Sequence, residues 1–220
     1  ARVWVIDSGI DQNHQDLIGM VNKWLSRSFV DGSPGNDFWG HGTAVAGLIS
    51  AIPANRNVEN NQELIGMTGV SPGAELVSLK VFGESSESSF SKVLKALEHI
   101  VKKGGSKGDI VNLSLGSKVK NCQNHGLFKA IETMARSGIF FSIAAGNGFD
   151  QTAPINASEM LPASVEGEGI FTSAAFALDY ANNSVTFSYF SNYGIPPVDW
   201  ALPGSYIFTT YPENSEYAVM

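Results

Sequence analysis

Along the chain, the stretches Val3 to Ile6, Leu76 to Phe82, Ile110 to Leu115 and Ile139 to Ala144 are apolar runs without a regular polar alternation. Short runs of this kind are the pattern of strands buried on both faces of a parallel sheet. Between them, Ala44 to Ile49, Phe90 to Lys103 and Leu127 to Ser137 carry helical spacing. In the second helix Val93, Leu94, Leu97, Ile100 and Val101 mark an apolar face, and Gly104-Gly105 supplies the stop. Strands alternating with helices at this spacing predict parallel βαβ units and an α/β fold. The Asn-rich segment Pro53 to Glu63, together with Ala153 to Glu168 and Ala181 to Ser184, is expected to form surface loops. Open parallel sheets gather their sites at the carboxyl ends of the strands, where Asp7, Gly116 and Asn147 all fall.

Composition narrows this picture. With 220 residues, 43% of them hydrophobic, one core is sufficient, and the expectation is a single domain over 1–220. The net charge of −7 argues against nucleic acid or an anionic membrane as partner. No apolar run approaches the roughly 18 residues that span a bilayer, and no charged n-region with an apolar h-region opens the chain. The start, Ala1-Arg2-Val3, has no methionine and enters a strand at once, which suggests a processed or incompletely represented N-terminus. Cys122 is the only cysteine, so an internal disulfide and a cysteine-rich zinc site are excluded. It sits in the polar segment Asn121 to Asn124 and is read as structural.

The candidate chemistry lies in two motifs, Val5-Ile6-Asp7-Ser8-Gly9 and His41-Gly42-Thr43-Ala44-Val45-Ala46-Gly47. The first places a carboxylate at the end of an apolar strand, and the second places an imidazole at the start of a helix of small residues. A buried aspartate beside a histidine fixes the imidazole tautomer and stabilises the imidazolium formed when a serine proton is taken. Singly, the aspartate could cap a turn and the histidine a helix; their joint occurrence is the more specific signal.

These motifs resemble those of the subtilisin-like serine proteases (the subtilase family, peptidase S8). Val5 to Ile10 resembles the family's aspartate motif, and His41 to Gly47 its histidine motif, with Ala44 where histidine is common. Val111-Asn112-Leu113-Ser114-Leu115-Gly116 is similar to its substrate-binding strand, and Ala144-Ala145-Gly146-Asn147 to its oxyanion motif. The likeness extends through Gly69 to Ala74 and Phe187 to Gly194. It implies a three-layer α/β/α sandwich with a mainly parallel sheet. It implies a serine endopeptidase in which Asp7 orients His41, His41 acts as general base and then acid, and Asn147 donates to the oxyanion. Ser114, Leu115 and Gly116 would pair with an extended polypeptide substrate. The family's second substrate strand would fall in Glu84 to Phe90, which lacks the glycines often found there.

The family's nucleophile stands in a Gly-Thr-Ser-Met-Ala motif. Ala201-Leu202-Pro203-Gly204 and Ile207 to Thr210 resemble its lead-in, and Tyr217 to Met220 resembles the residues just before it. The resemblance thus sets the serine just beyond Met220, on a helix absent from the 220 residues, with an N-terminal lead-in also absent. Gly104-Gly105-Ser106-Lys107-Gly108 matches the G-x-S-x-G elbow literally, but with a helix before it and a strand after, the reverse of what that elbow requires. Ser8 would point away from Asp7, and Ser114 belongs to the binding strand. A different class of reading is a catalytically inactive pseudoprotease or fragment that binds peptide or a protein partner. A dinucleotide-binding domain is disfavoured, because Asp7-Ser8-Gly9-Ile10-Asp11 stands where G-x-G-x-x-G is needed.

No organic cofactor is implied. Asp11 to Asp16, with its His14-Gln15-Asp16, is expected to be a solvated turn. The resemblance raises structural calcium, with Asp16 as one ligand and the loop holding Asn61 and Glu63 as a source of oxygens. His14, His99 and His125 are assigned surface or packing roles. The family likeness further suggests secreted or periplasmic localisation, and a propeptide, an inhibitor or a separate C-terminal fragment carrying the serine as partners.

Overall fold

The structure, a computed structural model, describes residues 1–54, 66–84, 87–148, 153–179, 182–213 and 216–220. The expected loop Pro53 to Glu63 lies largely outside these residues, as do Asn61, Glu63, Ser85, Ser86 and Ala181. In chain order the elements are β1 (Arg2–Asp7), β2 (Arg27–Ser28), α1 (His41–Ser50), β3 (Glu75–Lys80), α2 (Phe90–Lys102), β4 (Ile110–Leu113), β5 (Ser117–Lys118), α3 (Gly126–Arg136), β6 (Phe140–Ala144), β7 (Met160–Leu161), β8 (Ile170–Asp179), β9 (Ser184–Phe187), β10 (Trp200–Pro203), β11 (Phe208–Tyr211) and β12 (Glu216–Val219). They fall into two compact units, Ala1–Lys92 with Phe208–Val219, and Val93–Ile207 with Met220.

In the first unit β1 and β3 pair in parallel from Arg2↔Glu75 to Asp7↔Lys80, and β2 joins β3 on its other side. Val5, Ile6, Leu76 and Leu79 are almost wholly buried, as unalternated apolar strands should be. Trp4 and Leu17 complete this core with no exposed surface. The antiparallel β11–β12 hairpin lies against α1, where the hydroxyls of Thr209 and Thr210 donate to the carbonyls of Ala44 (2.6 Å) and Thr43 (2.7 Å). Helix α1 is short and made of small residues, so it is held by such close polar contacts more than by a broad apolar face.

The second unit carries the parallel order β10-β8-β6-β4, with β9 antiparallel to β8 and a small β5–β7 ladder. Leu97 and Ile100 of α2, Leu127 and Ile131 of α3, and Val111, Leu113, Phe141 and Ile143 of the strands form its core. Here the sequence expectation of strands buried on both faces is corrected. Burial alternates along β4 and β6, so that Asn112 and Ser142 lie on the more accessible face. On that same side Phe140 stacks on Phe171 and Phe171 on Trp200, at 6.4 and 5.2 Å between ring centroids, so these aromatics cover one another while half-exposed. Their apolar character hid the alternation.

The helices match their expected spans within a few residues; α1 begins three residues before Ala44, at His41 itself. Strands β8 to β10 were not forecast; in β8 the run Ser173-Ala174-Ala175 lacks β-branched weight. The expected loop Ala153 to Glu168 contains a one-turn helix at Ala157–Glu159 and strand β7, and Ser184, expected in a loop, opens β9.

Candidate active site

Asp7 ends β1 and His41 begins α1, and the fold of the first unit brings them together. The His41 imidazole donates from Nδ1 to Asp7 Oδ1 at 2.8 Å, with Asp7 buried and His41 partly open. Asp7 Oδ1 also accepts the Ser8 amide at 2.7 Å, while Oδ2 is buried without a hydrogen-bond partner among the described residues. With Nδ1 occupied by a carboxylate, Nε2 is the basic nitrogen, and no described group bonds to it. Burial pulls the His41 pKa down, but the Asp7 charge and hydrogen bond, aided by Asp37, outweigh it and hold the value above that of an ordinary histidine.

The helix start is fixed by Asp37, a residue the sequence reading did not single out. Gly40, the residue preceding α1, has no side chain to cap with, and Asp37 takes that role from outside the helix. Its Oδ1 accepts the Gly40 amide (2.9 Å) and the Ser8 hydroxyl (2.7 Å), and its Oδ2 accepts the Thr43 amide (2.8 Å) and hydroxyl (2.6 Å). Ser8 Oγ in turn accepts the Gly42 amide at 2.9 Å. A Cβ at Gly42 would collide with the Gly9 carbonyl, so only glycine lets the helix approach β1 this closely. The signal available in sequence was an aspartate shortly before a helix start.

Lys80 was also missed. It ends β3 opposite Asp7, is fully buried, and donates from Nζ to the Ser8 carbonyl. Burial lowers its pKa, against the pull of the Asp37 and Asp7 charges. A lysine inside an apolar run needs buried partners, and that was its legible mark.

The second unit holds the other candidate residues. Strands β4 and β6 are parallel neighbours, with Leu113 opposite Ile143, so Ser114 to Gly116 and Asn147 both lie just past the carboxyl ends of adjacent strands. Ser114, Leu115 and Gly116 belong to no assigned strand; Ser114 Oγ accepts from Asn112 at 3.0 Å. Asn147 is exposed, and its side-chain amide has no hydrogen-bond partner among the described residues. The turn before it is braced by Asn192, which is fully buried and donates to the Ala145 carbonyl (3.0 Å) while its backbone amide bonds Gly146 (2.8 Å). Gly146 has φ +91°, with the Asn192 amide where a Cβ would stand, which fixes glycine there.

The expected solvated turn at Asp11 to Asp16 is overturned at its end: His14 and Asp16 are buried. His14 Nδ1 accepts the Asp16 amide, so Nε2 carries the hydrogen and donates to the Glu216 carbonyl at 2.8 Å. Asp16 Oδ1 accepts the Ala54 amide (2.8 Å); Oδ2 accepts the Met67 amide (2.9 Å) and the Tyr217 hydroxyl (2.7 Å). Three donors thus face two oxygens that offer about four acceptor sites, with a single bond to Oδ1 among the described residues. Burial, with the bond to Asp16, pushes the Tyr217 phenol up to about 12. No group of three metal-ligating side chains occurs among the described residues.

Of the remaining candidates, His99 is buried on α2 and His125 caps α3 by accepting the Leu127 amide at 3.1 Å. Cys122 lies in a one-turn helix, buried, its thiol donating to the Val119 carbonyl. Ser106 stands between α2 and β4, the order expected from sequence. No described helix is long and apolar enough to cross a membrane.

Comparison with known proteins gives this arrangement a context. The chain is 32% identical to thermitase of Thermoactinomyces vulgaris over 221 residues, covering 99% of this chain and 67% of that protein. It is 35% identical to subtilisin Savinase of Lederbergia lenta, covering 99% and 68%. Subtilisin-like protease 1 of Trichophyton rubrum is 31% identical, but the chain spans only 36% of it. Among solved structures, a cold-adapted subtilisin-like serine proteinase aligns over the whole chain and 68% of its own, with TM-score 0.73 and 26% identity. This likeness shows the subtilisin-like α/β sandwich with a mainly parallel sheet. A model of the subtilase family, peptidase S8, matches residues 1–219, and the chain belongs to that family.

Proposed function

We propose that this chain is the greater part of a serine endopeptidase domain that hydrolyses polypeptides through an acyl-enzyme. The observation that carries the reading is the 2.8 Å bond from His41 Nδ1 to buried Asp7, which leaves Nε2 unengaged. His41 Nε2 takes the proton of a serine hydroxyl as that oxygen attacks the scissile carbonyl. Asp7 holds the ring in the tautomer that allows this and stabilises the resulting imidazolium. The Asn147 amide donates to the oxyanion of the tetrahedral intermediate. As the C–N bond breaks, His41 returns the proton to the leaving amine, giving the acyl-serine; water, deprotonated by the same nitrogen, then releases the acid. The backbone of Ser114 to Gly116, outside any assigned strand, supports pairing with an extended substrate.

The nucleophile in this reading comes from the family's Gly-Thr-Ser motif, beyond Met220. Ser8 and Ser114 do not compete for the role: the first bonds Asp37 and the Gly42 amide, the second Asn112. Secretion accords with the family but rests on it alone. The test is fluorophosphonate labelling of the full protein together with cleavage of an unfolded polypeptide. Labelling of one serine, lost in His41→Ala, is the expected result. Absence of labelling with retained peptide binding sinks the hydrolytic reading and favours the noncatalytic one.

A further inference from the structure

The face of the His41 ring is covered by an aromatic residue whose place in the site neither the motifs nor the hydrogen bonds account for. The Trp39 indole lies over the imidazole at 5.0 Å between centroids and 21° between planes, a stacked arrangement. Phe82, just past β3, meets Trp39 edge-on at 5.4 Å, so the indole is braced from behind while 42% exposed. We propose that Trp39 is a positioning residue that holds the His41 ring plane and stabilises its imidazolium through the indole face. Trp is the strongest of the aromatic partners for a cation, because its ring presents a negative face.

The geometry divides the work around one ring. Asp7 engages the edge at Nδ1, Asp37 fixes the backbone on which the ring is mounted, and Trp39 covers the face, leaving Nε2 available. Among the described residues the charges that act on this ring are those of Asp7 on β1 and Asp37 before α1; Lys80 on β3 acts on those two carboxylates, its ammonium 5.7 Å from the Phe38 ring centre. The carboxylates favour the protonated ring, and the indole face acts in the same direction. In a hydrolase of the kind proposed above, imidazolium forms as the tetrahedral intermediate forms, so a group that favours it acts where the barrier lies. The inference rests on His41 being that base, but its test does not use turnover.

Trp39 also buries the histidine, and the two effects have opposite signs. Burial disfavours imidazolium, so a merely covering Trp39 would, when removed, leave His41 a stronger base. A stabilising indole face would, when removed, leave it a weaker one. The experiment is NMR titration of isotope-labelled histidine in the full protein, with His41→Gln identifying the resonance. Trp39→Ala and Trp39→Leu are expected to weaken proton binding at His41 by about two- to five-fold, the free energy of a partly exposed cation–π contact. Trp39→Phe should retain part of it. The leucine variant keeps apolar cover without a π face, and unchanged chemical shifts of the other three histidines report that the fold is intact. Unchanged or tightened proton binding in Trp39→Leu overturns the proposal and leaves the hydrolytic reading standing.

Discussion

The start of α1 and the carboxyl ends of β4 and β6 differ in how much of their polar surface is already engaged. Around His41, Asp37 accepts four hydrogen bonds, Ser8 links it to the Gly42 amide, Asp7 takes the imidazole, and Lys80 is buried against the Ser8 carbonyl. Past β4 and β6, the Asn147 side-chain amide has no partner among the described residues, and Ser114 to Gly116 join no assigned strand. A group that must hold one proton in one geometry benefits from being over-determined. A group that must receive a ligand needs its donors free and its turn rigid, and the turn at Gly146 is made rigid by Asn192.

This contrast is open to attack at several points. The largest effect is expected for Asp7→Asn, which should lower kcat for peptide hydrolysis in the full protein by about 10⁴-fold. It should also move the His41 titration to lower pH. The sign follows from the raised folded-state value: stability from the protonated ring is fully present below the unfolded histidine pKa and is lost as pH rises through the folded one. Hydrolysis, which needs the neutral ring, should develop over that same rise. Denaturation midpoints and rates against pH would both be displaced downward in the variant.

Asn147→Ala should cost about 10² to 10³ in kcat, the loss that one oxyanion donor brings in subtilisin. Because the side-chain amide has no partner among the described residues, the variant's melting temperature should match the parent's. A fall in stability with little fall in rate would assign the residue to the fold instead. Asp37→Ala should do the reverse at the first site, removing on the order of 3 kcal/mol of folding free energy in urea titrations, since four donors lose their acceptor in a buried setting. Smaller still, Tyr217→Phe should cost about 1 kcal/mol through the lost bond to Asp16.

Much of the second unit's architecture was less legible than the candidate residues it carries. Val3 to Ile6 and Leu76 to Phe82 reported their burial directly, since a strand covered on both faces need only be apolar. Phe140, Phe171 and Trp200 misled by the same rule: stacked aromatics on an accessible face have the composition of a core. Strand β8, with three alanines among its ten residues, forms through its neighbours on both sides, which a local window does not contain. Asp37, Lys80, Trp39 and Asn192 are single residues without a periodic mark, and their roles come from partners distant in sequence.

Sequence alone determined the alternation of strand and helix, the family, and the pairing of Asp7 with His41, because these rest on local spacing and on motifs whose residue types are constrained together. Tertiary structure alone decided how the pair is held: which carboxylate caps α1, which lysine is buried against the Ser8 carbonyl, what covers the imidazole, and that Asp16 is buried against three protein donors. Those outcomes depend on desolvation and on hydrogen bonds between segments far apart in the chain, and neither quantity exists until the segments meet.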